Sequence, residues 1–143
     1  MTSDAVETAD YNTRIIEEFR ANQGRLGGPW AGYTVILIHH IGARSMIERV
    51  TPLSCFPQRD GRWAIVASDG GAPSHPAWYH NLKANPKIRV ELGAETFVVM
   101  AEEQLGTARD EIWPQLVAKV PRLAELQSSV ARWIPVFILT RQN

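Results

Sequence analysis

Cysteine is almost missing from this chain. Cys55 stands alone, so no internal disulfide can form, which suits a reducing compartment. Long apolar runs are missing too. The longest, Val35–Ile38 and Val136–Leu139, are the length of strands and far short of the ~20 residues that span a bilayer. The N-terminal residues Met1–Asp10 are polar and acidic, without the apolar centre of a signal peptide. These features together lead us to expect a cytoplasmic protein. Net charge is absent as well, since 15 basic and 15 acidic residues cancel. No global field attracts nucleic acid or marks a disordered acidic tail, and an anion site has to be a local cluster of Arg or Lys.

Several chemistries lack their residues. No glycine-rich G-x-G-x-x-G turn follows a strand, which argues against a Rossmann dinucleotide site. No Gly-x-Ser-x-Gly elbow or spaced carboxylate pair points to hydrolysis. Of the four histidines, His39 and His40 are neighbours on an expected strand and point to opposite faces. His75 and His80 are five apart, poorly aligned on a helix. No acidic or Cys partner lies near either pair, so no metal site is expected. Cys55 sits among apolar strand residues and reads as an inert buried thiol.

What remains is an ordinary globular composition over 143 residues, 45% hydrophobic and 21% charged. That is one domain, long enough to bury roughly two-thirds of its unfolded surface without staples. Tyr11, Ile15, Ile16 and Phe19 recur at helical spacing and predict an amphipathic helix over about Asp10–Asn22. Tyr33–Ile41 reads as a strand buried on both faces. A second strand is expected from Arg49 to Phe56, with an Asp60–Gly61 turn into Arg62–Ser68. His75–Ala84 reads as a short helix with Ser74 as N-cap and Pro76 in its first turn. Ile88–Leu92 and Thr96–Glu102 form a hairpin around Gly93–Ala94. Thr107 and Asp110 resemble a capping box opening a helix that Pro114 should kink or split. Further helical turns cover Arg122–Arg132, and Ile134–Thr140 is a final buried strand. The fold class is therefore α+β, mainly β: about six mostly antiparallel strands that can curl into a small barrel, with flanking helices.

Two segments carry candidate chemistry. Gly42–Arg49 is a glycine-started turn with Arg44 and Arg49, whose guanidinium forks suit phosphate or carboxylate; taken by itself, the segment reads more readily as a solvated hairpin tip. In Ser68–Leu82, Gly70–Gly71 lets backbone approach a ligand closely, and a helix N-terminus with free N–H groups follows. Trp78 and Tyr79 add flat apolar surface and Asn81 a donor and an acceptor. Trp78 and Leu82, four apart, also suit packing of the helix on the barrel.

Phe19-Arg20-Ala21-Asn22, Gly42-x-Arg44-Ser45, Thr51-Pro52-Leu53, the long run from Ser68-x-Gly70-Gly71 to Asn85-Pro86, Gln127 and Arg132-x-Ile134-Pro135-Val136 are familiar in that order. Over nearly its whole length the chain resembles the deazaflavin-dependent nitroreductase family of actinobacteria, whose members reduce substrates with coenzyme F420. The resemblance implies a split β-barrel, shared with flavin-binding oxidases, and a reductase that moves a hydride from the reduced deazaflavin to an enone, quinone or nitro compound. It places the cofactor against Arg44, Ser45, Arg49, Pro52, Leu53, Ser68, Gly70, Gly71, Ala72, Pro73, Trp78 and Asn81. The phosphate and oligoglutamate tail meets Arg44 and Arg49, and Ser68 hydrogen-bonds ring or substrate.

Departures from the family are equally specific. Its Gly-Arg-Lys-Ser-Gly turn is Gly42-Ala43-Arg44-Ser45-Met46 here, and the lysine that follows its serine is Asp69. Leu123 and Leu126 stand where the nitroreductases place substrate tyrosines, implying a more apolar pocket, and nitroimidazole reduction is not carried over. The competing readings are a cofactor-free protein holding a fatty acid or other apolar ligand on the same fold, and an enzyme using FMN. The N-terminal helix is free to cover the groove, pack on a partner in a homodimer, or lie on a membrane; its mixed charges make the last the weakest option.

Overall fold

A chain whose apolar residues alternate in short runs has to bury them on sheets, and this one builds a single seven-stranded antiparallel sheet in the order β2-β1-β5-β6-β7-β4-β3. The computed structural model describes residues 2–143, with side chains from Asp10 onward. The strands are β1 (Val35–Ile41), β2 (Glu48–Ser54), β3 (Phe56–Pro57), β4 (Trp63–Val66), β5 (Lys87–Leu92), β6 (Glu95–Glu103) and β7 (Val136–Arg141). The helices are α1 (Thr2–Ala21), α2 (Ala77–Ala84), α3 (Thr107–Lys119) and α4 (Arg122–Ser129).

The count is seven rather than six because the expected Arg49–Phe56 strand breaks at Cys55. The Cys55 N–H leaves the ladder and donates to Thr34 O at 2.8 Å. The chain then crosses from one edge of the sheet, β2, to the other, β3. Two edges joined by one residue force the sheet to curl on itself, which is what makes it a barrel rather than an open sheet. Prolines sit on both of these edge strands, Pro52 and Pro57, where a missing ladder donor does least harm.

β1 is buried on both faces, as its unbroken apolar run suggests. Ile36 and Ile38 point into the barrel with Ile65, Val90, Val99, Phe137 and Leu139. Val35 and Leu37 lie on the outside beneath Phe19 and Ile16 of α1. β7 repeats the arrangement: Val136 and Ile138 pack under Ile112 and Leu116 of α3 and Leu123 of α4. Cys55 is buried, and desolvation pushes its thiol up to about 12, so it stays a protonated core group at neutral pH.

Helix boundaries differ from expectation for identifiable reasons. α1 begins at Thr2 instead of Asp10, because residues 2–9 carry no apolar stripe from which periodicity could read a helix. α2 begins at Ala77 with Pro76 as its extended N-cap (φ −66°, ψ 157°); Ser74 is not the cap, since the residue before a proline avoids helical geometry and His75 keeps the helix from starting earlier. Thr107 is the first helical residue rather than a cap: Gly106 takes that position with φ 57°, and Thr107 and Asp110 form no capping box. Pro114 lies inside an unbroken α3. The split falls later, at Val120–Pro121, before α4.

Candidate active site

α2, α4, β2 and the turn after β4 converge on a cavity of about 1000 Å³, the size of a small-molecule or cofactor site. Its walls are largely apolar, with Pro52, Leu53, Phe56, Val66, Trp78, Leu123 and Leu126. Arg49, Asp69 and Arg122 stand at its exposed rim. Tyr11 of α1 and Trp30 stand over it, joined by a hydrogen bond from Trp30 Nε1 to Tyr11 Oη at 2.7 Å. α1 therefore contributes Tyr11 and Asn12 to the cavity wall.

The Ser68–Gly71 turn forms one wall through a run of left-handed residues, Asp69, Gly70 and Gly71, with φ of 47°, 63° and 86°. Asp is among the few side chains that tolerate this region. The two glycines serve different purposes. A Cβ on Gly70 would enter open space beside the cavity, whereas one on Gly71 would press on Leu126 Cδ2 at 3.0 Å. Gly70 thus leaves room for a ligand, and Gly71 makes room for α4.

Arg132 holds this wall in place. Its Nε donates to Ala72 O (3.0 Å), Nη1 to Ala67 O (3.1 Å) and Nη2 to Ser68 O (2.9 Å). Nη1 also meets His75 Nδ1 at 2.9 Å, and burial followed by the Arg132 charge keeps His75 below its ordinary pKa. Gln127 braces Arg132 from behind, donating to its carbonyl (2.8 Å) while accepting from Ile134 N–H (2.8 Å) and Arg109 Nη2 (3.0 Å). The role of Arg132 was invisible in sequence, because its partners lie 57 to 65 positions away; for it and for Gln127, their place in the family pattern was the only signal.

Eight of the residues expected at the site line the cavity: Arg49, Pro52, Leu53, Ser68, Gly70, Trp78, Leu123 and Leu126. Trp78 does so while also packing on Phe137 at 6.0 Å between ring centroids, so both readings of it hold. The other six are not on the wall. Arg44 and Ser45 lie in the exposed β1–β2 turn, where Ser45 Oγ accepts from Ile47 N–H at 3.2 Å; a Cβ on Gly42 would collide with that hydroxyl. Gly71, Ala72 and Pro73 are off it too: Gly71 faces Leu126 of α4, and Ala72 O accepts from Arg132 Nε. The Asn81 side chain accepts from Ala43 N–H at 3.0 Å and donates to His40 Nδ1 at 2.9 Å, fixing the β1–β2 turn to α2. His40, Thr51 and Arg122, which sequence reasoning did not single out, do line the cavity.

The family model for F420H(2)-dependent quinone reductase matches residues 12–141. An F420H(2)-dependent quinone reductase of Mycobacterium tuberculosis is 38% identical over 130 residues, 87% of this chain and 85% of that protein. Among solved structures, the F420-H2 dependent reductase FDR-A superimposes with a TM-score of 0.65 at 39% identity, covering 74% of this chain and 93% of that one. A structure described as a domain-swapped dimer gives a TM-score of 0.68 at 36% identity, covering 92% and 98%.

Proposed function

Because the chain belongs to the F420H(2)-dependent quinone reductase family, we propose that it is an F420-dependent oxidoreductase reducing quinone-like substrates in the cavity described above. The observation that carries this reading is the cavity itself: largely apolar walls, a bare Gly70 edge and two exposed cations in its lining suit a planar ring system with an anionic tail. Leu53, Trp78 and the Gly70 backbone would hold the ring, and Arg49 and Arg122 the negative charges. When bound in its reduced form, the deazaflavin supplies a hydride. The chain's own work is to orient two flat molecules against each other and keep water out, which Leu123, Leu126 and Tyr11 do by apolar cover. Ser68, on the wall in the turn after β4, would hydrogen-bond the ring or the substrate. No side chain has to act as a covalent nucleophile.

The test is a titration of the purified chain with oxidised F420, and separately with FMN, followed by oxidation of reduced F420 by menadione. F420 binding with quinone-dependent turnover is the expected outcome. Binding of neither cofactor would overturn the reading in favour of an apolar-ligand carrier.

Asp69 gives a sharper expectation. It is an exposed lining residue of the same cavity as Arg49 and Arg122, so its charge opposes theirs toward a bound anion. Asp69→Lys should tighten F420 binding by about tenfold at low salt, with the gain shrinking as salt rises. Arg49→Ala should act in the opposite direction. Equal affinity in Asp69→Lys and the parent would show that the tail leaves the cavity elsewhere. We also carry over a homodimer, on the ground that one solved relative is a domain-swapped dimer; sedimentation of the purified chain tests it. Among the described residues, no helix is long and apolar enough to cross a membrane.

A further inference from the structure

We infer that Thr51 is a hydrogen-bond donor to a ring carbonyl oxygen of the molecule bound in the cavity, and that His40 is the positioning residue that holds it in that role. The inference rests on the proposed site but not on which of its two ligands supplies the oxygen.

Forced donors and acceptors link Ala43 to Thr51. A backbone N–H can only donate, so the bond from Ala43 N–H makes Asn81 Oδ1 an acceptor and fixes the amide's orientation. Asn81 Nδ2 then faces His40 Nδ1 at 2.9 Å and must donate to it. An imidazole whose Nδ1 accepts carries its proton on Nε2. Nε2 lies 2.8 Å from Thr51 Oγ1, so it donates and the hydroxyl accepts. The hydroxyl proton is thereby turned away from His40.

Among the described residues, Thr51 Oγ1 makes no other hydrogen bond, and Thr51 lies on the cavity wall. A donor in a mostly apolar wall selects an acceptor, and a planar redox pair offers ring carbonyls. Such a donor also stabilises the negative charge that grows on a quinone oxygen as hydride arrives. His40 itself is buried and neutral at physiological pH, so it orients the hydroxyl and does not protonate product.

Two measurements on the full chain test the inference. Imidazole ¹⁵N shifts report the tautomer without any ligand: a proton on Nε2 of His40 is expected, and a proton on Nδ1 would overturn the chain of donors. Thr51→Val and Thr51→Ser are then compared for F420 affinity and for kcat and KM with menadione. If the oxygen belongs to the cofactor, Thr51→Val raises the F420 Kd roughly tenfold. If it belongs to the quinone, the F420 Kd holds and kcat/KM falls by a similar factor. In either case Thr51→Ser restores most of the loss, which a packing defect would not allow. Wild-type values in Thr51→Val, or equal losses in both variants, would sink the inference. The double variant His40→Leu/Thr51→Val should bind and turn over no worse than Thr51→Val alone, because the two residues act through one hydroxyl. If the parent protein bound no F420, the cofactor assignment would fail while the tautomer measurement still judged His40.

Discussion

Arg132→Ala should cost about 3 kcal/mol of stability, lower the melting temperature by about 10 °C, and weaken F420 binding although Arg132 does not line the cavity. The guanidinium satisfies three carbonyls, Ala67, Ser68 and Ala72, in one planar fork. Charge-assisted bonds of this kind are worth more than neutral ones, and removing the donor takes that bond from all three carbonyls, Ser68 O keeping only the one from Gly71 N–H. The same carbonyls belong to the turn that carries Ser68, Asp69 and Gly70, three residues of consecutive wall with two of them at positive φ. Losing the clamp frees that turn to leave a strained conformation, so stability and binding should fall together. Arg132→Lys should recover little, since an ammonium cannot address three acceptors in the geometry of a fork. Thermal denaturation and F420 titration of both variants check this. A lysine variant indistinguishable from the parent would show that only the charge matters.

How much of this was legible in sequence depends on distance along the chain. Features set by neighbours were readable: the two-sided burial of β1 from its unbroken apolar run, the β5–β6 hairpin from Gly93–Ala94, and the close-approach turn from Gly70–Gly71. Features set by distant partners were not. The break at Cys55 depends on Thr34 O, and nothing in the Arg49–Phe56 pattern reveals that the chain changes edges there. Gly71 looks like a ligand glycine until Leu126 is found against it. Asn81 looks like a ligand asparagine until Ala43 and His40 occupy its amide. The run from Ser68 to Pro86 thus mixes two kinds of position, those facing the cavity and those holding the first kind in place. A motif records both without telling them apart. Topology separates them, as with His39 and His40: one meets Glu48 and Glu91 on the face covered by α1, the other meets Thr51 and Asn81 on the cavity side.

That separation has a consequence for acid stability. Lowering the pH from 7 to 5 should destabilise the protein by ~2 kcal/mol through His40 alone. Burial, then the positive charge of Arg49 and that of His39, lower its pKa to about 4, against about 6.5 in an unfolded chain. Between those values the unfolded state holds a proton that the native state refuses, so stability declines as pH falls through the window. Above about 6.5 both states are neutral and the contribution is complete; below about 4 both are protonated and it is gone. The native contacts explain the refusal: Nδ1 accepts from Asn81, and adding a proton there would set two donors against each other. Urea denaturation at pH 7, 6 and 5 should show a steeper decline in the parent than in His40→Gln, which removes this titration and leaves the rest of the sequence unchanged. Parallel declines would refute the assignment. An anion held at Arg49 offsets one of the charges that depress the His40 pKa, so bound F420 should raise it. Cofactor binding should therefore weaken less on acidification than the loss of stability of the free protein would suggest.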